Sequence, residues 1–374
     1  MEETYDTYEK ILISKAFQKG IPLNASFELL PLCNMNCQMC YVRLDSEEMK
    51  QKDRLRTAEE WFDLARQMKE AGILFVMLTG GEPLLYPDFK KVYLGLRSLG
   101  MIVTVNTNGT LLDEHWADFF AANPPRRINV TLYGTDKEVY KTLCGFEGGY
   151  ERAVHALHLL AKRKISVKIN GSLVQANKNQ IDKIVDMANK LGMAVNVDTY
   201  MYPAQRERPK PFDRQLRLSP EEAAKAKFHF LRKTLDAEAF DEMCRRTNAL
   251  IEQTQVETEQ NAREYRTRTE KMHCQAGRTS FAVNWQGQMQ LCVMLKSPSV
   301  PVFEMGIEAA WQQLKKEADQ VCLSESCSKC NYRAVCNTCA ACALHEGGSF
   351  DAVPQYMCQY MKAFCALTEN DEMK

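Results

Sequence analysis

Apolar and polar residues alternate along several short segments in the first half of the chain. Val103 and Val105, for example, alternate with Thr104 and Asn106. Side chains on a strand point to opposite faces in turn, so this pattern predicts strands with one apolar and one polar face. Together with apolar runs nearer the N-terminus, it predicts six strands, at residues 25–30, 73–78, 101–106, 128–132, 165–173 and 193–200.

Helix signals lie between these strands. Thr57, followed three residues later by Glu60, forms a capping-box pattern, and Gly72 marks the end of that helix. Further helices are predicted at residues 87–99, 113–122, 150–162 and 180–191. Strands that alternate with helices are typical of a parallel α/β sheet. Because the helices cover one face, we expect the polar face to line the interior of a partial barrel; a sheet with one face in water is the alternative.

The composition is that of a globular protein without a strongly charged partner. The chain has 374 residues, of which 45% are hydrophobic and 26% charged, and its formal net charge is +0. This length suits one large and one smaller domain, and the charge balance favours neither nucleic acid nor an anionic membrane as a partner. The sequence has no run of 18 apolar residues and no signal-peptide pattern, so a cytoplasmic location is expected.

The 15 cysteines are too many for an ordinary cytosolic protein and fall into two clusters. Three lie between residues 33 and 40, and ten lie between residues 274 and 365. Disulfides are disfavoured in the cytosol, where cysteines in such numbers more often hold metal. The distribution therefore predicts two separate metal regions.

The first cluster is a C-x₃-C-x₂-C motif, Cys33, Cys37 and Cys40, directly after the first predicted strand. Thiolates are the usual ligands of iron–sulfur clusters, and three cysteines leave one iron of a cubane open to a small molecule. Zinc is the alternative, but structural zinc takes four ligands. In the sequence, no fourth Cys or His lies near this loop.

The motif resembles the signature of the radical S-adenosylmethionine (SAM) superfamily, and Thr79-Gly80-Gly81-Glu82-Pro83 resembles the GGE motif of that family. The resemblance implies a partial (β/α)6 TIM-like barrel in which Glu82 meets the SAM amino group. Many relatives carry an Arg shortly after strand four, whereas this chain has Cys144 in that region. By resemblance, the SAM-binding residues are Met39, Tyr41, Gly80, Gly81, Glu82, Asn108 and Thr131.

The implied chemistry is one-electron cleavage of SAM. A reduced [4Fe–4S] cluster would give an electron to SAM and produce a 5′-deoxyadenosyl radical that takes a hydrogen atom from the substrate. A flavodoxin or ferredoxin would supply the electron.

The C-terminal cysteines resemble those of the SPASM extension of radical SAM enzymes, a small domain with two auxiliary [4Fe–4S] clusters. The resemblance implies three clusters in all. It assigns the outer auxiliary cluster to Cys327, Cys330, Cys336 and Cys358, and the inner one to Cys274, Cys292 and Cys339. Cys322 or Cys342 could complete or replace the inner set, while Cys244 and Cys365 are expected to be buried thiols. A pair of zinc ribbons is the alternative.

We expect four regions: an N-terminal extension (1–24), a radical SAM barrel (25–202), a mostly helical bridge (203–270) and an auxiliary-cluster domain (271–374). The extension is too short to fold alone. In the bridge, Ser219-Pro220-Glu221-Glu222 predicts a helix start. Basic residues before it are either a solvated surface or a contact for an acidic peptide leader: Arg206, Arg208, Arg214 and Arg217.

The resemblance predicts a maturase that abstracts hydrogen from a ribosomally made precursor peptide and leaves a cross-link, an oxidation or an epimerised residue. A separate protein, or the barrel itself, would bind the leader. Formylglycine formation of the sulfatase-maturase type is the alternative enzyme, and an iron–sulfur or zinc carrier is the alternative without radical chemistry. For a base that accepts the substrate proton, the sequence offers Asp198, with Tyr200 and Tyr133 as weaker candidates.

Overall fold

The computed structural model describes residues 7–203, 216–260 and 274–372. Its nine strands are β1 (Asn24–Glu28), β2 (Phe75–Thr79), β3 (Ile102–Thr107), β4 (Arg127–Thr131), β5 (Val167–Ser172), β6 (Ala194–Asp198), β7 (Ser280–Val283), β8 (Gln288–Gln290) and β9 (Ser299–Pro301).

The helices of the described residues alternate with the first six strands and then dominate the C-terminal half. They are α1 (Thr7–Lys19), α2 (Ser46–Lys52), α3 (Ala58–Glu70), α4 (Phe89–Ser98), α5 (Glu114–Ala122), α6 (Lys137–Cys144), α7 (Gly149–Lys162), α8 (Ile181–Lys190), α9 (Pro220–Thr234), α10 (Ala237–Gln260), α11 (Val302–Met305), α12 (Ile307–Gln320), α13 (Glu325–Ser328), α14 (Ala340–Gly347) and α15 (Gln355–Glu372). Two short 3₁₀ helices span Pro83–Leu85 and Gln175–Gln180. Within the described ranges, every helix is too short or too polar to cross a lipid bilayer.

The nine strands form one sheet in the order β6-β5-β4-β3-β2-β1-β7-β8-β9. Strands β1 to β6 are parallel and separated by helices, which confirms the predicted α/β class and its six strands. The C-terminal region adds β7, β8 and β9 to this sheet, which the alternation of apolar and polar residues did not predict. Strand β7 pairs in parallel with β1, where Asn24 lies opposite Ser280, and β8 and β9 extend the edge in antiparallel fashion.

Capping residues define several helix starts as predicted. The Thr57 hydroxyl accepts a hydrogen bond from the Glu60 amide, and the Glu60 carboxylate accepts one from the Thr57 amide. Ser219 and Glu222 form the same reciprocal pair at the start of α9. Helices α1, α2 and α6 were not predicted. The start of α6 does carry a local signal, since the Asp136 side chain accepts from the Val139 amide.

The polar face of the sheet faces inward. Val103 and Val105 of β3 are buried, whereas Asn106 points to the opposite face, where its side-chain oxygen accepts a hydrogen bond of 2.6 Å from Asn129 Nδ2. Asn106 and Thr131 line a cavity on that face. The alternation of apolar and polar residues therefore marks a barrel interior rather than a sheet face in open water.

Candidate active site

The cavity has a volume of about 580 Å³ and lies at the carboxyl ends of the parallel strands. Loops after β1, β2 and β3 form one side of it, and the ends of β4, β5 and β6 form the other. Ligands of parallel α/β sheets bind at this end because the loops that follow the strands converge there. Most barrel residues predicted for the site line it: Cys33, Cys37, Met39, Cys40, Tyr41, Gly80, Gly81, Asn108, Thr131, Tyr133, Asp198 and Tyr200.

The three thiols of the cysteine loop lie close enough to affect one another. Burial raises the pKa of the Cys33 thiol to about 12, and the negative charges of Glu82, Cys37 and Cys40 contribute to the rise. Backbone amides approach two of the sulfurs, Met35 N to Cys33 Sγ at 3.4 Å and Arg43 N to Cys40 Sγ at 3.4 Å. Three thiols held this close together become thiolates together only beside a cation such as iron, so the donor set fits a cluster.

Contrary to the expectation from the sequence, a fourth cysteine does lie near this loop. Helix α6 brings the buried Cys144 thiol within hydrogen-bonding reach of the Cys37 thiol. Two backbone bonds fix the contact, from Asn36 N to Cys144 O (2.8 Å) and from Gln38 N to Leu143 O (3.0 Å). Even so, no three His, Cys, Asp or Glu side chains in the described part of the chain are arranged to hold a single metal ion.

Gly81 lets the loop after β2 pack directly on the backbone that precedes Cys33. Gly81 N donates to Leu30 O at 2.8 Å, and Glu82 N donates to Leu32 O at 2.9 Å. A Cβ atom on Gly81 would lie only 2.3 Å from Leu32 O, a distance that real Cβ atoms do not show. The second glycine of the GGE motif is therefore required by this close backbone approach.

Glu82 lies behind the cavity wall rather than on it. Its side chain is fully buried, and its carboxylate accepts hydrogen bonds from Leu84 N (3.1 Å), Thr107 Oγ1 (2.8 Å) and Asn108 N (2.8 Å). Burial raises the pKa of Glu82 to about 7, and these three donors limit the rise. In this position the carboxylate organises the loops after β2 and β3, and direct contact with a SAM amino group stays a prediction.

Asn108 connects the loop after β3 to the cysteine loop. Its Nδ2 atom donates to Asn34 Oδ1 at 2.9 Å and lies 3.6 Å from Cys33 Sγ. Its Oδ1 atom accepts from the amide and the hydroxyl of Thr110, and Asn34 Nδ2 donates back to Thr110 Oγ1 at 2.8 Å. The side chain therefore holds Cys33 in place as well as lining the cavity.

Asp198 and Lys227 are the charged side chains of the far end of the cavity. Asn196 Nδ2 donates to Asp198 Oδ1 at 3.1 Å. Lys227, which the sequence analysis missed, comes from α9 and donates from Nζ to Val197 O at 3.2 Å. Burial lowers the pKa of Lys227, while the Asp198 charge opposes that change. Asp198 thus faces the cavity as a candidate base should.

Tyr200 also lines the cavity, but its surroundings do not suit a base. Its hydroxyl donates to Glu346 Oε1 at 2.8 Å and lies 3.2 Å from Cys342 Sγ. Burial, together with the negative charges of Cys342 and Glu346, raises the pKa of Tyr200 far above its usual range, so the phenol stays protonated.

Arg217 departs from both expectations for the basic cluster, a solvated surface or a contact for an acidic peptide leader. It is buried and pairs with Glu346 at 2.6 Å, and it stacks 4.1 Å from the centre of the Tyr356 ring. The pair joins the bridge to α14 beside Tyr200. The other basic residues lie outside the described residues: Arg206, Arg208 and Arg214.

Two sets of C-terminal thiols lie near one another, and whether each holds a cluster stays a prediction. Burial raises the pKa of Cys327 to about 11, and neighbouring thiolates add to the rise, namely Cys358, Cys336 and Cys330. Burial likewise raises the pKa of Cys292 to about 12, with contributions from Cys339 and Cys274.

The additional thiols of this region occupy different surroundings. Cys342 adjoins the second group, since its amide lies 3.5 Å from Cys339 Sγ. Cys244 and Cys365 are buried, as expected.

A curved parallel sheet with a three-cysteine loop after its first strand and a Gly-Gly loop after its second agrees with the arrangement expected from the resemblance to radical SAM enzymes. Residues 27–200 match the family model described as the radical SAM superfamily. The matched segment is the barrel, and the region that follows it is rich in cysteine.

Curated relatives include enzymes of two kinds. The chain is similar to an AdoMet-dependent heme synthase of Methanosarcina barkeri, with 25% identity over 338 residues that cover 88% of this chain and 94% of the relative. It is also similar to a PqqA peptide cyclase of Rhizobium meliloti, with 26% identity over 190 residues that cover 50% of each chain.

Solved structures with the same fold include peptide-bound enzymes. SuiB of Streptococcus suis, bound to its precursor peptide SuiA, matches with a TM-score of 0.66 and 16% identity over 96% of this chain and 82% of SuiB. The enzyme anSMEcpe with bound AdoMet matches with a TM-score of 0.68 and 18% identity over 94% of each chain. At these identities the likeness establishes the fold.

Proposed function

We propose that this protein cleaves SAM reductively and abstracts a hydrogen atom from a residue of a ribosomally made peptide. The proposal rests on one observation: the residues predicted to bind the cluster and SAM and the candidate base line a single cavity. Cys33, Cys37 and Cys40 face the same space as the Gly80–Gly81 loop, and Asp198 lies on the wall formed by β6. A cluster, SAM and a substrate side chain would therefore meet in one enclosed volume.

The residues of the chain would prepare this reaction. When bound, the cluster and SAM supply a 5′-deoxyadenosyl radical that removes a hydrogen atom from the substrate. Cys33, Cys37 and Cys40 would hold the cluster. Further residues would position SAM, namely Met39, Tyr41, Gly80, Gly81, Asn108 and Thr131. Asp198 would accept a proton from the substrate, because its carboxylate faces the cavity and has one amide donor, Asn196, at 3.1 Å.

Two sets of C-terminal cysteines would hold auxiliary clusters, which when bound would supply an acceptor for the electron from the substrate. Cys327, Cys330, Cys336 and Cys358 would hold one, and Cys274, Cys292 and Cys339, with Cys342 beside them, the other. Tyr202 supports a short path for the electron from the cavity to the second set of cysteines. It lines the cavity, and its hydroxyl lies 3.4 Å from Cys339 Sγ. A flavodoxin or ferredoxin would supply the first electron, and a separate protein could present the leader.

A peptide substrate is favoured by the names of the relatives. SuiB binds the precursor peptide SuiA, the PqqA peptide cyclase is named for a peptide, and both are similar to this chain. Formylglycine formation is the alternative peptide oxidation, because after hydrogen abstraction it needs a base such as Asp198 and an acceptor for one electron, which an auxiliary cluster would supply. A heme-forming reaction is a second candidate, favoured by the match to the heme synthase over 94% of its length.

The first test is cluster content and SAM cleavage under anaerobic conditions. Reconstituted protein should contain about twelve irons, falling to about eight in a Cys33→Ala/Cys37→Ala/Cys40→Ala variant. Dithionite and SAM should give 5′-deoxyadenosine only with the intact loop. A protein that binds iron without cleaving SAM would be a carrier and would refute the proposal.

The second test identifies the substrate class. Peptides encoded beside this gene, labelled with deuterium, should transfer deuterium to 5′-deoxyadenosine and change mass. Deuterium transfer from a heme precursor, with none from the peptides, would favour the heme-forming candidate.

A further inference from the structure

Cys37 differs from the other cysteines of its loop in the side chains that approach its sulfur. The Cys144 thiol and the Tyr133 hydroxyl both lie within hydrogen-bonding reach of Cys37 Sγ. Both residues belong to the segment that runs from the end of β4 through α6. The motif therefore acquires two donors from a part of the chain that its own spacing does not include.

The backbone holds this contact in place on both sides. Asn36 N and Gln38 N, the residues that flank Cys37, donate to the carbonyl groups of Cys144 and Leu143 in the last turn of α6. Gln38 Nε2 adds a third bond, to Thr142 O at 3.1 Å. Carbonyl groups of a last helical turn have no partner within the helix, so the cysteine loop satisfies them and becomes rigid in return.

Both the backbone and the ring of Tyr133 have partners. Asn177 Nδ2 donates to the backbone carbonyl oxygen of Tyr133 at 2.6 Å, and the centre of the Tyr133 ring lies 6.0 Å from that of Tyr140 of α6. Tyr133 lines the cavity. Its hydroxyl therefore approaches Cys37 from the side on which SAM and substrate would lie, while Cys144 approaches from the protein interior.

The direction of these hydrogen bonds follows from the chemistry of a ligand. As a cluster ligand, Cys37 would be a thiolate and could only accept, so the S–H of Cys144 and the O–H of Tyr133 must donate. Reduction adds negative charge to the cluster and its sulfurs, which strengthens both bonds. Hydrogen bonds to the sulfurs are one of the factors that set the reduction potential of a cluster.

We propose that Cys144 and Tyr133 are positioning residues that donate hydrogen bonds to Cys37 and raise the reduction potential of the SAM-binding cluster. The inference rests on the proposed function only in that Cys33, Cys37 and Cys40 hold the cluster. It assigns a role to Cys144, which stands in the region where relatives carry an Arg.

The test is an anaerobic redox titration of the holoenzyme followed by electron paramagnetic resonance. The component that changes on addition of SAM belongs to the cluster of the cysteine loop and separates it from auxiliary clusters. Cys144→Ala and Tyr133→Phe should each lower the equilibrium constant of reduction by about tenfold, as expected for loss of one hydrogen bond to a charged group. Tenfold corresponds to about 59 mV for one electron.

Matched variants separate hydrogen bonding from packing. Cys144→Ser keeps a donor and should retain most of the wild-type potential. Cys244→Ala, a buried thiol of α10, and Tyr93→Phe, whose hydroxyl donates to Asn123 O at 2.7 Å, should leave the potential unchanged. The double Cys144→Ala/Tyr133→Phe variant should lower it further than either single change.

The inference is overturned if Cys144→Ala and Tyr133→Phe keep the wild-type potential, or if Cys144→Ser shifts it as far as Cys144→Ala does. If Cys144→Ala fails to hold its cluster, Tyr133→Phe decides by itself. A wild-type protein with no SAM-responsive signal refutes the proposed function and this inference with it. A signal whose potential is unaffected by the variants refutes the inference alone.

Discussion

Replacing Gly81 with alanine would insert a methyl group into the contact between the loop after β2 and the cysteine loop. The new Cβ atom would lie 2.3 Å from Leu32 O, 2.6 Å from Leu32 C and 2.7 Å from Pro31 O. All three are backbone atoms, so no side-chain rotation relieves the overlap. Ordinary contact requires a separation larger by roughly 1 Å, which the backbone must provide.

The displacement falls on the residues that lead into Cys33. Overpacking of this kind costs about 1–3 kcal/mol. It also weakens the bonds from Gly81 N to Leu30 O and from Glu82 N to Leu32 O. We expect Gly81→Ala to bind SAM about 5–100-fold more weakly and to lose iron from the cysteine loop, while iron bound by the C-terminal region is retained.

The assay is SAM binding by anaerobic equilibrium dialysis, with iron measured in the same samples. Gly148→Ala is the matched control. Gly148 has φ −85°, which alanine adopts freely, and a Cβ atom there would meet nothing within 4 Å. A Gly81→Ala protein that binds SAM and iron as the wild type does would show that the close approach is not needed for the site.

Three further changes probe other parts of the structure. Because burial raises the pKa of Glu82 from 4.5 to about 7, the stability that its protonated form contributes is complete below pH 4.5 and is lost as pH rises through 7. Urea denaturation of cluster-free protein should show a free energy of unfolding lower at pH 8 than at pH 5 by about 2.5 kcal/mol, and Glu82→Gln should abolish this difference. A difference that persists in the variant would contradict this origin. Asp198→Asn should slow substrate turnover about 10²–10⁴-fold while SAM binding stays unchanged, and full turnover would exclude Asp198 as the base. Arg217→Met should destabilise the fold by about 3–5 kcal/mol in denaturant titrations, with partial recovery in Arg217→Met/Glu346→Gln.

Local signals were sufficient to predict the barrel. The pair Thr57 and Glu60 marks a helix start within four residues, and the alternation around Val103 identifies both a strand and its polar face. These patterns depend on neighbouring residues, which a sequence displays directly. Spacing alone likewise identified the cysteine loop.

Contacts between distant parts of the chain could not be predicted in this way. Cys144 reaches Cys37, and Glu346 reaches Tyr200, only because separate elements pack together. No spacing rule relates such positions, so the sequence predicts no fourth thiol at the loop and leaves Tyr200 as a possible base. Lys227 was missed for the same reason, since its helix belongs to the bridge and its Nζ atom meets Val197 O of the barrel.

The pairing of β1 with β7 has a consequence for synthesis of the chain. Strand β1 ends at Glu28, but the strand that covers its outer edge begins only at Ser280. At about 5–20 residues per second, roughly 250 residues of translation leave that edge open for some tens of seconds. An uncovered strand edge is a template for wrong pairing with another chain. We therefore expect the nascent barrel to need a chaperone until the C-terminal strands emerge, and versions truncated before residue 280 to aggregate.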